Sequence, residues 1–277
     1  MRALILALLF TVVSGFGAGK FAPEFFVFEN GVRFGPTDNQ IKVLKELGFD
    51  SLGSAKPHDL AERIKLHHES GLRISSLYIG GKIGGGRDMK IINPAIPASI
   101  PLFKGHDTII ELTVQRGPSN TDEDAVKFVR EVADLAKESG LRVVLYPHAG
   151  FYVDTLSDAV RIAKLSGRDN VGAMFNLCHF LKVEPNADLR KTLERAGDLL
   201  WRVSTCGADT DGKSWSQLIQ TLDRGSFDQV TFLKLLREIG FSGDIGLQCY
   251  AIRGDTKQNL NRSIAAWRKY LAKSRKE

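Results

Sequence analysis

Along the chain, short apolar runs alternate with longer stretches whose apolar positions recur with a helical period. Eight runs read as strands: Phe25–Glu29, Ser51–Ser54, Ile74–Ile79, Thr108–Val114, Arg142–Tyr146, Val171–Asn176, Trp201–Thr205 and Asp244–Cys249. Helical patterns lie between nearly all of them. The clearest covers Asp122 to Lys137, with Ala125, Phe128, Val129, Val132 and Leu135 on one face and Thr121 placed as its N-cap. One punctuation mark occurs four times: Glu46-Leu47-Gly48-Phe49, Glu69-Ser70-Gly71-Leu72, Glu138-Ser139-Gly140-Leu141 and Glu238-Ile239-Gly240-Phe241. A Gly just past a helix takes the left-handed conformation that ends it, and the apolar residue after it turns the chain into a strand. Repeated helix–Gly–strand junctions mean βα units and a parallel sheet. Eight strands with intervening helices predict an α/β fold, a single (β/α)8 TIM barrel. A doubly wound open sheet is the runner-up, disfavoured because no Gly-x-Gly-x-x-Gly follows the first run.

The N-terminus stands apart. Met1-Arg2 is a positive start, Ala3 to Val13 is unbroken apolar, and Ser14-Gly15-Phe16-Gly17-Ala18-Gly19 is rich in small residues. That pattern predicts a signal peptide over residues 1–19, a barrel domain over residues 20–277, and export to the periplasm or beyond the cell; a buried first strand or helix is the alternative reading of the same run. The apolar run is too short to span a bilayer, which takes about 20 residues, so no stable membrane insertion is expected.

The 277 residues are 43% hydrophobic and 25% charged, which excludes disordered, collagenous and coiled-coil classes. Three Cys are too few for a disulfide framework; Cys178, Cys206 and Cys249 lie in apolar stretches and read as buried free thiols. The net charge of +6 is dispersed among acids. Its one dense cluster, Arg268-Lys269 with Lys273, Arg275 and Lys276, reads as a solvated helix end, so no nucleic-acid partner is expected. Gly80-Gly81 and Gly84-Gly85-Gly86 lack the Lys-Ser/Thr of a phosphate loop and read as a flexible connection.

In such barrels the chemistry sits at the C-terminal ends of the strands. The first run ends Glu29-Asn30, the third holds Tyr78, the fifth ends Tyr146-Pro147-His148, the sixth continues Asn176-Leu177-Cys178-His179, the seventh ends Cys206-Gly207-Ala208-Asp209, and the eighth carries Gln248. Glu111 stands within Ile109-Ile110-Glu111-Leu112, where an ionised carboxylate is costly unless paired or metal-bound. It is either a catalytic base, its pKa raised by apolar neighbours, or half of an ion pair inside the barrel. His148 and His179 are the two histidines just past apolar runs; His58, His67, His68 and His106 are expected in solvent. Lys182 could neutralise a substrate oxyanion or be an exposed loop lysine. Trp215 and Tyr152 could stack on a sugar face or simply pack.

Val143-Val144-Leu145-Tyr146-Pro147-His148 followed by Val171-Gly172-Ala173-Met174-Phe175-Asn176-Leu177-Cys178-His179 resembles the fifth-to-sixth strand segment of the xylose isomerase-like sugar phosphate isomerase/epimerase family, where one strand ends Glu-Asn-His and the next reads Val-Gly-x-x-x-Asp-x-x-His. Leu222-Asp223-Arg224-Gly225-Ser226-Phe227-Asp228, then Phe232-Leu233, Gly240-Phe241 and Ile245-Gly246-Leu247-Gln248, is similar to that family's Gly-x-Gly-x-x-Asp loop, helix and last strand. The likeness covers about residues 120–268 and is only architectural before that.

The resemblance implies a divalent metal (Mn, Mg, Zn or Co) held by Glu, Asp, His and Glu on the last four strands. At the matching positions this chain has Tyr146, Asn176, Ser204-Thr205-Cys206 and Gln248. The metal site is therefore either absent or rebuilt from Glu111, His148, Asn176 and Gln248. The implied reaction is sugar isomerisation or epimerisation by proton abstraction beside a carbonyl, which needs a base and an oxyanion donor. Glu111 is the expected base, with His148 and His179 as donors or the partner acid. Asn176, Gln248, Lys182, Asp209, Tyr146 and Trp215 are the expected contacts to a small carbohydrate. The alternatives are a 3-ketoglycoside lyase or hydrolase, and a carbohydrate-binding barrel without catalysis.

Overall fold

The computed structural model describes residues 21–84 and 93–276. The expected signal peptide, residues 1–19, lies outside the described residues, as do Gly85 and Gly86 of the glycine-rich connection. Nine parallel strand segments form one sheet: β1 (Phe25–Phe28), β2 (Ser51–Gly53), β3 (Arg73–Ile74), β4 (Ser76–Lys82), β5 (Ile109–Gln115), β6 (Arg142–Leu145), β7 (Val171–Asn176), β8 (Leu200–Thr205) and β9 (Asp244–Leu247). Their order is β3-β2-β1-β9-β8-β7-β6-β5-β4. The predicted strand Ile74–Ile79 appears as β3 and β4, interrupted only at Ser75. Across that break the ring closes: Ser75 N–H donates to Leu52 O (2.8 Å), Ala55 N–H to Ser76 O (3.0 Å) and Tyr78 N–H to Ala55 O (2.8 Å). The result is the expected TIM barrel.

The outer layer comprises α1 (Thr37–Leu47), α2 (Leu60–Ser70), α3 (Ala95–Ser99), α4 (Asp122–Glu138), α5 (Leu156–Ser166), α6 (Leu177–Val183), α7 (Leu189–Ala196), α8 (Trp215–Leu218), α9 (Gln229–Glu238) and α10 (Thr256–Ser274). Helix α4 starts where the sequence places it, with the Thr121 hydroxyl accepting from Asp124 N–H and Ala125, Phe128, Val129 and Val132 buried. Gly48, Gly71, Gly140 and Gly240 all have φ between 73° and 84°, the left-handed turn that the fourfold pattern requires.

Strand β1 shows how the pleat sorts side chains between layers. Phe25 faces the helices and stacks on Trp267 of α10, ring centroids 4.0 Å apart and planes at 5°. Phe26 faces the barrel interior, where the Arg202 guanidinium lies 3.7 Å over its ring. Phe28 again faces inward, near the barrel mouth, 5.6 Å from Phe26. All three cysteines are buried and free, with Cys178 in α6 rather than in a strand.

Candidate functional site

A pocket of about 390 Å³ opens at the C-terminal ends of the strands. Phe28 and Asn30 come to it from the end of β1, Ser54 and Lys56 from the segment after β2, and Tyr78 from β4. Tyr146 and His148 follow β6, His179 stands one turn into α6, Trp215 and Ile219 come from α8 and its end, and Gln248 and Tyr250 follow β9. Trp215 and Tyr250 are large aromatics left 41% and 54% exposed, as two lips of the pocket. Aromatic faces with a few placed polar groups are what a carbohydrate site needs.

The two histidines meet, because α6 starts at once after β7 and turns His179 back toward the loop after β6. Their ring centroids are 4.2 Å apart. Backbone partners fix the proton on each ring. Ala149 N–H donates to Nδ1 of His179 (3.2 Å), so neutral His179 carries its proton on Nε2. Nδ1 of His148 lies 3.1 Å from Ala149 O, which can only accept, so His148 carries its proton on Nδ1 and leaves Nε2 as a free lone pair. Burial lowers the pKa of His179 to about 3, and the neighbouring His148 pushes it the same way. Burial also lowers that of His148, against smaller opposing effects of Ala149 O and Asp154. One residue thus offers an acceptor and the other a donor, both uncharged at neutral pH.

Two phenols line the floor. Burial pushes the Tyr78 hydroxyl up to about 12. Burial likewise raises that of Tyr146, which accepts from Asn176 Nδ2 at 2.5 Å. Both remain protonated hydrogen-bonding groups at neutral pH.

The structure brings Tyr146, His148, His179, Trp215 and Gln248 together and leaves four other expected site residues off the pocket wall. Glu111 is the main correction. Its sequence neighbours are apolar, but Ile110 and Leu112 belong to the opposite face of β5 by the strand pleat. The carboxylate points into the barrel interior, where Arg202 Nε donates at 2.9 Å, Ser76 Oγ at 2.8 Å, and Ser54 Oγ donates as well. It is the ion-pair alternative that the geometry favours over the base. Asn176 is the second: buried, its amide is used by Tyr146 and by the Cys178 thiol (3.1 Å), so it supports the wall from behind. The third, Lys182, donates to Lys213 O (2.8 Å) and sits 5.8 Å from the Trp215 ring, bracing that lip. The fourth, Asp209, joins the β8–α8 loop through its backbone, its N–H donating to Gln217 O. Tyr152 donates to Asp122 Oδ1 (2.6 Å), away from the pocket.

His67 is a further correction: it is 1% exposed, not solvated, because it lies on the inner face of α2 with Nδ1 2.8 Å from Leu72 O. Phe28, Lys56, Ile219 and Tyr250 were not singled out by sequence. Lys56 and Tyr250 come within three residues of strand ends, so the strand-end rule applied to every residue type would have found them.

Glu111, His148, Asn176 and Gln248 do not make a metal site. Glu111 and Asn176 spend their oxygens on the partners just named, and Gln248 Oε1 accepts from Tyr250 N–H (3.0 Å). Among the described residues no group of three or more His, Cys, Asp or Glu side chains is placed to hold an ion. The donor set does not fit a divalent cation, which needs several oxygen or nitrogen ligands with anionic charge nearby.

The buried neutral imidazoles set an acid limit on stability. The unfolded chain binds a proton on each histidine near pH 6.5, whereas folded His179 does so only near pH 3. Its contribution is present above pH 6.5 and lost as pH falls toward 3, by about 3 kcal/mol between pH 7 and pH 4. His67, also lowered by burial, adds in the same direction. Urea unfolding of wild type and His179→Gln at the two pH values checks this. The variant is expected to lose less stability on acidification, and equal losses contradict the burial of His179.

A profile of the family described as xylose isomerase-like TIM barrel matches residues 41–270. Inosose isomerase of Bacillus velezensis is 23% identical over 203 residues, 69% of this chain and 71% of that protein. Among solved structures, the apo 3-keto-D-glucoside 4-epimerase YcjR of E. coli superposes with a TM-score of 0.70 at 18% identity, over 90% of this chain and 99% of its own. An L-ribulose 3-epimerase superposes with a TM-score of 0.73 at 15% identity, over 92% and 96%. At these identities the structural likeness is one of fold.

Proposed function

The chain belongs to the xylose isomerase-like TIM barrel family, and from that premise we propose that its pocket takes a keto-sugar and moves a proton beside the carbonyl, as sugar isomerases and epimerases do. The observation that carries the reading is the adjacent pair His148 and His179, ring centroids 4.2 Å apart with planes tilted by 41°, neutral and in opposite tautomers on one pocket wall. His148 Nε2 removes the proton from the carbon next to the carbonyl. The C–H electron pair becomes the C=C bond of an enediolate, and the former carbonyl oxygen takes the charge while His179 Nε2–H donates a hydrogen bond to it. Returning the proton to the former carbonyl carbon, while the neighbouring hydroxyl gives its proton to the former carbonyl oxygen and becomes the new carbonyl, isomerises the sugar. Delivery of a solvent proton to the opposite face of the original carbon epimerises it, and His148 gives up the proton it took to solvent. Gln248 and Asn30 orient hydroxyls, and Trp215 and Tyr250 hold the ring faces. The names of the inosose isomerase and of the two epimerases, all of which act on polyhydroxy ketones or sugars, support this substrate class. The same deprotonation followed by loss of a β-substituent would give the lyase outcome.

Incubation in D2O with 3-keto-D-glucosides, ketopentoses and ketohexoses tests the reading. Deuterium is expected at the carbon beside the carbonyl, above the buffer rate. Because burial lowers the pKa of His148, the acidic fall in rate is expected at lower pH than a free imidazole would give. Sugars that raise the Tm with no exchange at any pH would leave the alternative, a binding barrel. That alternative draws its support from the locked Glu111 and the lost metal-ligand carboxylates. We also propose export, as residues 1–19 suggest; unchanged periplasmic or secreted localisation after their replacement by Met would count against it.

A further inference from the structure

The pocket is lopsided in charge. Among the described residues lining it there is no Asp and no Glu, and with both histidines neutral the one charged side chain is Lys56. That ammonium has no hydrogen-bond or ion-pair partner among the described residues, although the Lys56 backbone is bonded to Glu29 and Arg63. The acid that its segment does touch is already committed: Glu29 accepts from the Lys56 backbone N–H (2.6 Å) and from Arg63 Nη2 (2.7 Å). Asp154, the acid whose charge reaches His148, accepts from Gly150 N–H (3.0 Å) and does not line the pocket. Beside Lys56, at the end of the adjacent β1, Asn30 lines the same pocket with its side-chain oxygen buried and unpaired. A buried polar atom without a partner is costly, and a ligand hydroxyl would satisfy it.

We propose that the substrate is a sugar acid, a monosaccharide carrying one carboxylate, with Lys56 as the residue that selects it. The proposal rests on the keto-sugar reading above and names its substrate class. A positive group in a pocket without acids favours an anion and disfavours a neutral competitor by leaving no carboxylate to balance it. One ammonium matches the single charge of a carboxylate. A phosphate carries about −1.5 to −2 at neutral pH and calls for more donors than this wall supplies.

Calorimetric titration of the full chain with glucose, galactose and mannose, each as the neutral sugar, the uronate and the 6-phosphate, tests the proposal. At least one uronate is expected to bind tenfold or more tightly than its neutral parent. The advantage is expected to shrink with added salt, to fall to near one in Lys56→Met, and to survive in Lys56→Arg. Equal affinity for uronate and parent, or an advantage that persists in Lys56→Met, overturns the anion preference while leaving the carbohydrate site standing. Tighter binding of the phosphates overturns the carboxylate assignment. Absence of binding by all nine sugars, together with no deuterium exchange into the keto-sugars above, removes the carbohydrate reading itself, whereas exchange into those keto-sugars without binding of any uronate overturns the sugar-acid assignment alone. Because Lys56 is exposed, both variants are expected to fold, and a Tm within a few degrees of wild type verifies it.

Discussion

Glu111→Ala is expected to destabilise the protein by about 3–5 kcal/mol, more than any other single change at the barrel interior or the pocket. The carboxylate is 0% exposed and Arg202 is 3% exposed, so the substitution leaves a guanidinium buried beneath the pocket. Its remaining acid would be Asp244, at 3.4 Å from Nη1. Burial lowers the pKa of Arg202, while Glu111 and Asp244 pull it back up, so the cation depends on these partners. Phe26 below and the Ser75 and Ser76 hydroxyls beside it complete the cage. Urea unfolding measures the loss. The double variant Glu111→Leu, Arg202→Met is expected to recover most of it, since removing both charges also removes their desolvation cost. A loss below about 1 kcal/mol for Glu111→Ala, the range of exposed pairs, would contradict a buried ion pair.

His148→Gln is expected to slow solvent-deuterium exchange by about 10²–10⁴-fold with little change in KM, the signature of a lost proton acceptor. His179→Leu removes the donor facing the oxyanion and is expected to cost about 10²–10³-fold in kcat. His179→Gln keeps an N–H donor and is expected to restore part of that loss. A merely structural pair would behave differently: both histidine variants would lower the Tm and exchange would follow the folded fraction, with no rescue by glutamine.

The barrel was legible because its signals are local and repeated. Gly48, Gly71, Gly140 and Gly240 each close a helix within a few residues of the next strand, and each adopts the positive φ that makes the pattern physical. The pairing of His148 with His179 was legible for a similar reason, since both follow apolar runs on neighbouring strands. Glu111 misleads because a one-dimensional reading sees Ile110 and Leu112 beside it, while the pleat sends those side chains outward and turns the carboxylate inward to Ser54, Ser76 and Arg202, which lie 35 to 91 residues away in sequence. Lys56 was missed because a lone lysine near a strand end resembles any surface lysine. What sets it apart, a pocket without acids and a Glu29 already engaged by Arg63, exists only in three dimensions. His67 was misread because helix α2 has a weak apolar face, so its buried side was not evident from period alone.

Nitrogen-15 NMR of the histidine rings tests most directly whether the pocket holds one imidazole ready to accept a proton and another ready to donate one. At pH 7 His148 is predicted to be neutral with its proton on Nδ1, and His179 neutral with its proton on Nε2, unchanged down to about pH 4. A charged ring at pH 7, or the same tautomer on both, would contradict the account.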